Sequence, residues 1–256
     1  MKVEIKKIIN IAREAGDAIL EIYQKDFEVY TKKDESPLTE ADQAANKIIL
    51  EKLVANYPDI PYISEEVKQN DYSERKDWEY CWLIDPLDGT KEFIKKNGEF
   101  TVNIALIHKG EPILGVVHVP VRNKTYYAEK NQGAFVIENN GVPKQIENRT
   151  HYSELDEIIV VASRSHLSQE VVDFVDDLKA KGKQVEFLSS GSSLKFCLVA
   201  EGKAHVYPRL APTMEWDTGA AHAVCLEAGK NVLVYETKEA LTYNREDLLN
   251  PWFIVE

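Results

Sequence analysis

Apolar side chains recur along this chain with two distinct periods, and the switches between them mark the elements. Ile5, Ile8, Ile9, Ala12, Gly16, Ile19, Leu20 and Tyr23 share one face at helical spacing, which predicts a long amphipathic helix over the first two dozen residues. A short strand over residues 27 to 32 and a polar loop from Lys33 to Pro37 come next. Ala45, Ile48, Ile49 and Leu53 restore the helical period, in a helix opened by Thr39 and ended near Tyr57-Pro58. Strands are expected at 61–64 and 80–84, on either side of an exposed polar loop at 68–78. Residues 101–108, 113–119, 125–128 and 134–137 alternate or run apolar between breaks at Gly110, Asn123 and Gly133, the pattern of an antiparallel sheet.

After a polar stretch at 144–157 the rhythm changes. Strands at 158–162, 184–188, 204–207 and 231–235 alternate with helices at 168–181, 191–201 and 216–228. The expected architecture is a layered α/β fold with an N-terminal half over residues 1–150 and a C-terminal half over 151–256.

Composition narrows the function. With 256 residues, 44% of them hydrophobic, the chain can bury a substantial core. A formal charge of -12 argues against nucleic acid as a partner, and an acidic protein that handles phosphate needs metal. Cys81, Cys197 and Cys225 are odd in number, stand in apolar surroundings and lack zinc spacing, which fits a reducing cytoplasm. No apolar run approaches the length of a membrane span, while peripheral membrane contact stays open, as does the choice between monomer and homodimer.

The chemistry centres on Trp82-Leu83-Ile84-Asp85-Pro86-Leu87-Asp88-Gly89-Thr90-Lys91-Glu92-Phe93, where an apolar strand ends in two carboxylates and meets a helix start. Pro86 lacks an N–H, so the strand ladder is expected to stop at Asp85, and Gly89 allows a sharp turn. The N–H groups of Gly89 and Thr90 at a helix N-terminus suit an anion, while Asp85, Asp88 and the Leu87 carbonyl offer oxygen to a hard cation. Thr39 and Asp42 have the spacing of a capping box. Glu65-Glu66 follows a strand, and Glu215-Trp216-Asp217-Thr218-Gly219-Ala220-Ala221-His222 opens a helix in which Asp217 could equally be an N-cap. His108 and His118 have no second ligand at metal spacing and are expected to be structural.

The segment from Trp82 to Phe93 resembles the metal-binding signature of the inositol monophosphatase superfamily, the magnesium-dependent, lithium-sensitive phosphomonoesterases, and the Trp216-Asp217 segment resembles its second signature. The resemblance implies an alternating layered fold in which Glu65, Asp85, Leu87, Asp88 and Asp217 hold metal and Asp42 and Thr90 position the attacking water. Asp42 can cap a helix as well. All-oxygen ligation by clustered carboxylates selects Mg²⁺ or Mn²⁺ over zinc, with magnesium the expected occupant and two or three ions expected.

Gly191-Ser192-Ser193-Leu194-Lys195-Phe196-Cys197, Tyr207-Pro208-Arg209 and Ser163-Arg164-Ser165-His166 are similar to the bisphosphate nucleotidase branch of that superfamily, which removes the 3'-phosphate of adenosine 3',5'-bisphosphate. On that resemblance Asp88, Gly89, Thr90, His166, Ser192, Ser193, Lys195, Arg209 and Asp217 contact a phosphorylated nucleotide, with Lys195 and Arg209 suited to a second phosphate. Alternatives are that Lys195 is an exposed helix lysine and that His166 lies on a surface loop. The rival functions are an inositol monophosphatase or fructose bisphosphatase, and a non-catalytic metal-dependent binding protein.

Overall fold

The computed structural model describes residues 3–25, 27–31, 37–162 and 168–256. Helix α1 (Ile5–Tyr23) follows its predicted face, with Ile8, Ala12, Ala15 and Ile19 fully buried. A hairpin of β1 (Val29–Thr31) and β2 (Pro37–Thr39) leads into α2 (Glu40–Asn56), which packs along α1. The chain then enters a seven-stranded sheet with β3 (Tyr62–Ser64), the short helix α3 (Tyr72–Arg75), β4 (Tyr80–Asp88) and the single-turn helix α4 (Thr90–Ile94). Strands β5 (Thr101–His108), β6 (Glu111–Val119), β7 (Lys124–Glu129), β8 (Gly133–Glu138) and β9 (Lys144–Ile146) complete it in sequence order. Only the β3–β4 pair is parallel; every later neighbour is antiparallel.

The second part of the chain holds β10 (Glu157–Ala162), α5 (Gln169–Ala180) and β11 (Gln184–Ser189), with the two strands parallel. It continues with α6 (Leu194–Ala200), β12 (Tyr207–Arg209), α7 (Glu215–Glu227), β13 (Val232–Val234) and β14 (Phe253–Val255), and β14 lies between β12 and β13.

Burial on alternate residues explains the layering. On β4, Trp82 and Ile84 join the core shared with α1 and α2, while Cys81 and Leu83 join the core shared with α6 and α7. A strand covered on both faces reads as an unbroken apolar run, as this one does. Beyond α6 and α7, Tyr207, Phe253 and Val255 of the small sheet pack against Phe196, and the opposite face of that layer receives Phe174, Val175 and Leu178 of α5. The order is therefore helix, sheet, helix, sheet, helix, and the layered α/β architecture expected from the sequence is present.

Several boundaries differ from expectation, each for a local reason. Strand β4 does not stop at Asp85; it continues to Asp88, which pairs with Thr101 across a register shift. Pro86 sits inside that irregularity, where its missing N–H interrupts no regular ladder. The 68–78 segment contains α3, held down by Arg75, whose guanidinium donates to Asn70 O at 3.0 Å and Asn244 Oδ1 at 2.8 Å. The helix expected from 191 begins at Leu194, because Ser192 adopts a left-handed φ of 45°. The strand expected at 204–207 is displaced to β12, and β9 and β14 are short additions that gave no period long enough to read. Residues 33–36 of the expected polar loop, and residue 32 at the end of the strand expected before it, lie outside the described residues.

Helix α7 approaches the large sheet closely at Gly115 of β6, where an added Cβ would lie 2.1 Å from Ala220 O and 2.9 Å from Ala223 Cβ. Backbone cannot give way there as a flexible side chain could. We expect Gly115→Ala to lower unfolding free energy by about 3 kcal/mol through overpacking, read as a reduced urea midpoint at unchanged m-value.

Candidate active site

The acids reach one place from separate elements. Parallel pairing of Ser64 with Ile84, followed by a hydrogen bond from Glu65 N to Ile84 O at 3.1 Å, sets Glu65 beside Asp85 at the ends of adjacent strands. Asp217 arrives from the first turn of α7. Ligand oxygens of Glu65, Asp85 and Asp217 lie within 4.8 Å of one another. Asp88 stands next to this group, with its Oδ2 turned toward Ser193 N at 2.5 Å and Asn103 Nδ2 at 3.4 Å. The Leu87 carbonyl accepts from Thr90 Oγ1 at 3.4 Å, and Leu87 N donates to Asp85 Oδ1 at 3.0 Å.

Burial makes Asp85, Asp88 and Asp217 weaker acids, and neighbouring acids add to the effect. Asp85 is held well above the usual aspartate range by burial, then by Glu65, Asp88 and Asp217. Asp217 is pushed up to about 8 by burial, then by Asp88 and Glu65. Asp88 is raised by burial but relieved by Lys195 and the Ser193 N–H. Carboxyls that cannot all ionise without a compensating cation, presenting oxygen alone, fit a hard divalent ion.

Helix starts fix two of the acids. Thr39 caps α2 as expected: Ala41 N donates to Thr39 Oγ1 at 3.2 Å, and Thr39 N and Oγ1 both donate to Asp42 Oδ2 at 2.7 Å. The other oxygen of Asp42 accepts from Thr90 Oγ1 at 3.2 Å, so the cap residue and the pair thought to position water coexist. Asp217 is not the N-cap of α7. It is the third residue of the helix, and its Oδ2 accepts from Met214 N at 2.9 Å. Gly89 takes φ 96°, a conformation open to glycine, and from there α4 begins at Thr90. Glu66 accepts from Gln43 Nε2 at 2.9 Å, consistent with a supporting place beside Glu65.

A cavity of about 150 Å³ adjoins the acids, lined in part by Asp88, Ser192, Lys195, Arg209 and Asp217. Lys195 is not an exposed helix lysine: it is 6% exposed, donates to Ser192 O at 2.6 Å and lies over the Tyr207 ring at 5.5 Å. Burial pulls its ammonium down to about 8, against the attraction of Asp88. Arg209 donates through Nη2 to Pro212 O at 2.7 Å, and its buried Nε has no hydrogen-bond partner among the described residues. Ser193 lines the cavity, yet its N–H holds Asp88 and its hydroxyl joins Asn103 Oδ1 and Thr101 Oγ1, each at 2.9 Å. Ser192 also lines it, at its left-handed turn. His166 lies outside the described residues.

Sequence reasoning missed Asn103 and Glu99. Asn103 is a polar interruption in the apolar run of β5, a readable signal. Glu99 left no such trace, although its Oε2 accepts from Gly191 N at 2.9 Å and so shapes the turn before α6. His118 is structural, bonded to Thr125 Oγ1 at 2.9 Å and lowered to about 4 by burial; His108 stacks on Tyr80 at 4.4 Å.

The inositol monophosphatase family model matches residues 2–252. The chain belongs to the inositol monophosphatase family. It is 47% identical over 253 residues to the 3'(2'),5'-bisphosphate nucleotidases CysQ of Salmonella typhimurium and of Escherichia coli K12, covering 98% of each chain. The crystal structure of CysQ from Bacteroides thetaiotaomicron, a bacterial member of the family, shares 47% identity and a TM-score of 0.85 over 98% of this chain and 96% of that one. An inositol monophosphatase family fold from Thermotoga maritima, the IMPase, aligns at 24% identity with a TM-score of 0.76 over 98% and 91%. No helix among the described residues is long and apolar enough to cross a membrane.

In an inositol monophosphatase family site of this kind the raised carboxyls make stability depend on pH. A carboxyl whose folded value exceeds its ordinary 3.8 contributes stability that is fully present below 3.8 and is lost as pH rises from there through the folded value, here about 8 for Asp217. We expect the metal-free protein in chelator to lose on the order of a few kcal/mol of stability across this window, seen as a falling melting temperature. Added Mg²⁺ should flatten the curve, and a flat curve in chelator would contradict the electrostatic account.

Proposed function

We propose that this protein is a magnesium-dependent phosphatase that hydrolyses the 3'-phosphate of adenosine 3',5'-bisphosphate to AMP and inorganic phosphate. The observation that carries the reading is the pairing of opposite charges in one cavity. Asp88 and Asp217, which line it and adjoin Glu65 and Asp85, form one pole, and the buried Lys195 with the unpartnered Arg209 Nε forms the other. A substrate with a phosphate at each end has chemistry for both poles. The 47% identity to bisphosphate nucleotidases over nearly the whole chain supports the same assignment.

Glu65, Asp85 and Asp217, with Asp88 and the Leu87 carbonyl, would hold the Mg²⁺. The ion supplies positive charge to the phosphoryl oxygens and acidifies water. The chain's own residues do the positioning. Thr90 and Asp42, joined at 3.2 Å, would orient a water in line with the scissile bond, with Asp42 accepting its hydrogen bond. Attack on phosphorus forms a new P–O bond as the bond to ribose O3' breaks, and the proton released from water balances the alkoxide product. The Gly89 and Thr90 N–H groups at the start of α4 would face the anion, a short turn whose role here rests on the neighbouring acids. Lys195 and Arg209 would grip the 5'-phosphate and leave the 3'-phosphate over the acids.

Phosphate release from adenosine 3',5'-bisphosphate and from inositol 1-phosphate, measured at equal concentration in Mg²⁺, tests the reading. We expect at least tenfold faster release from the nucleotide; equal or reversed rates would point to an inositol monophosphatase, and release from neither to a binding protein. Arg209→Ala should raise KM for the bisphosphate by roughly tenfold or more, the worth of a hydrogen bond to a charged group. The KM for adenosine 3'-monophosphate should change far less, and an equal loss on both would remove Arg209 from the second phosphate.

A further inference from the structure

The N-cap side chain of α7 makes no hydrogen bond to the first turn. Its N-cap residue is Met214, whose thioether replaces the hydroxyl or carboxylate that normally receives the free N–H groups of a helix start. The turn is nonetheless the one that must aim Asp217. Its missing restraint comes from a distant segment, residues 244–250, through a buried polar network.

Glu215, fully buried at the first position of α7, accepts from Asn244 N at 2.6 Å, Arg245 N at 3.0 Å and Arg245 Nε at 3.1 Å. The same guanidinium donates through Nη2 to Asn250 Oδ1 at 2.9 Å. That bond fixes the orientation of the Asn250 amide, whose Nδ2 then donates to Met214 O at 2.8 Å and to Thr218 Oγ1 at 3.1 Å. The backbone is tied as well, with Glu215 N on Leu248 O at 2.9 Å and Asn250 N on Thr213 O at 2.7 Å. Met214 is the residue whose N–H holds Asp217 Oδ2. Asn250 therefore grips the carbonyl of the very residue whose amide orients the acid.

We infer that Asn250, oriented by the Glu215–Arg245 ion pair, is a positioning residue for the metal centre: it fixes the Met214 backbone and thereby directs the second oxygen of Asp217 toward the cation. Asn250 is 4% exposed and lines no cavity with the substrate-facing residues, so it acts through Asp217 rather than on substrate. The inference rests on the reading of Asp217 as a metal ligand.

Binding of Mn²⁺ to the substrate-free protein, followed by the paramagnetic resonance of free Mn²⁺, tests it without recourse to turnover. Asn250→Ala should raise the dissociation constant of the tightest site at least tenfold while near-UV circular dichroism is retained. Asn250→Asp keeps the size and the acceptor for Arg245 but loses the donor to Met214 O. An added negative charge near a cation site would strengthen metal binding by itself, whereas loss of the clamp weakens it, so the two accounts differ in sign. Weaker Mn²⁺ binding in Asn250→Asp supports the clamp, and it decides the matter should the alanine variant fail to fold; unchanged or tighter binding overturns it. Asp217→Asn in the same assay separates the premises. Unchanged affinity in Asp217→Asn removes the ligand reading and the clamp with it, while weakened affinity there with normal affinity in both Asn250 variants overturns the clamp alone.

Discussion

Glu65, Asp85, Asp88 and Asp217 are carboxylates drawn from water into one cleft, and their mutual repulsion is the constraint to which the rest of the molecule responds. Burial raises the cost of ionising Asp85, Asp88 and Asp217, and nearby acids raise it again. Covalent chain length between them does nothing to offset this, since they come from three separate segments. What holds them is the rigidity of the elements beneath: two neighbouring strands, a helix start, and a bulge. In the proposed function a divalent ion held by these groups would offset that cost.

The layers supply the rigidity. Strand β4 is covered by α2 on one face and by α7 on the other, so its last residues cannot shift without disturbing both cores. Lys195 belongs to the same logic. Its ammonium is buried next to the Asp88 carboxylate and over an aromatic ring, which gives the cleft a fixed positive wall opposite its acidic floor. Asp88 is thus shared between the two walls, restrained by Ser193 and Asn103 on the one side and repelled by its fellow acids on the other.

Where the chain declares a period or a strict local rule, the sequence was legible. The α1 face, the strand β5, the Thr39 capping box and the turn at Gly89 all follow from spacing or from one residue's backbone freedom. Asp85 and Asp88 stood out as charges at the end of an apolar run. The strand's passage through Pro86 did not, because a bulge is a property of two strands and one of them lies thirteen or more residues away in sequence. The late start of α6 was hidden in the same way, set by a left-handed turn that Glu99 helps to hold. Ser193 was visible as a polar residue by an anion site, but its partners Asp88, Asn103 and Thr101 come together in three dimensions alone. Asn250 illustrates the limit most clearly, for nothing near it in sequence suggests a tie to a helix that begins at residue 215.

The lone parallel pair in the large sheet has a consequence for how this family can diversify. Because β3 and β4 run in the same direction, the ends that carry Glu65 and Asp85 are adjacent by virtue of strand register, and the connection between the strands travels back along the molecule to begin β4. The spacing of those two carboxylates is therefore independent of how long or how polar that crossover is. Insertions in the crossover are compatible with that spacing wherever they spare Arg75, whose bond to Asn244 ties the crossover to the segment that holds the start of α7.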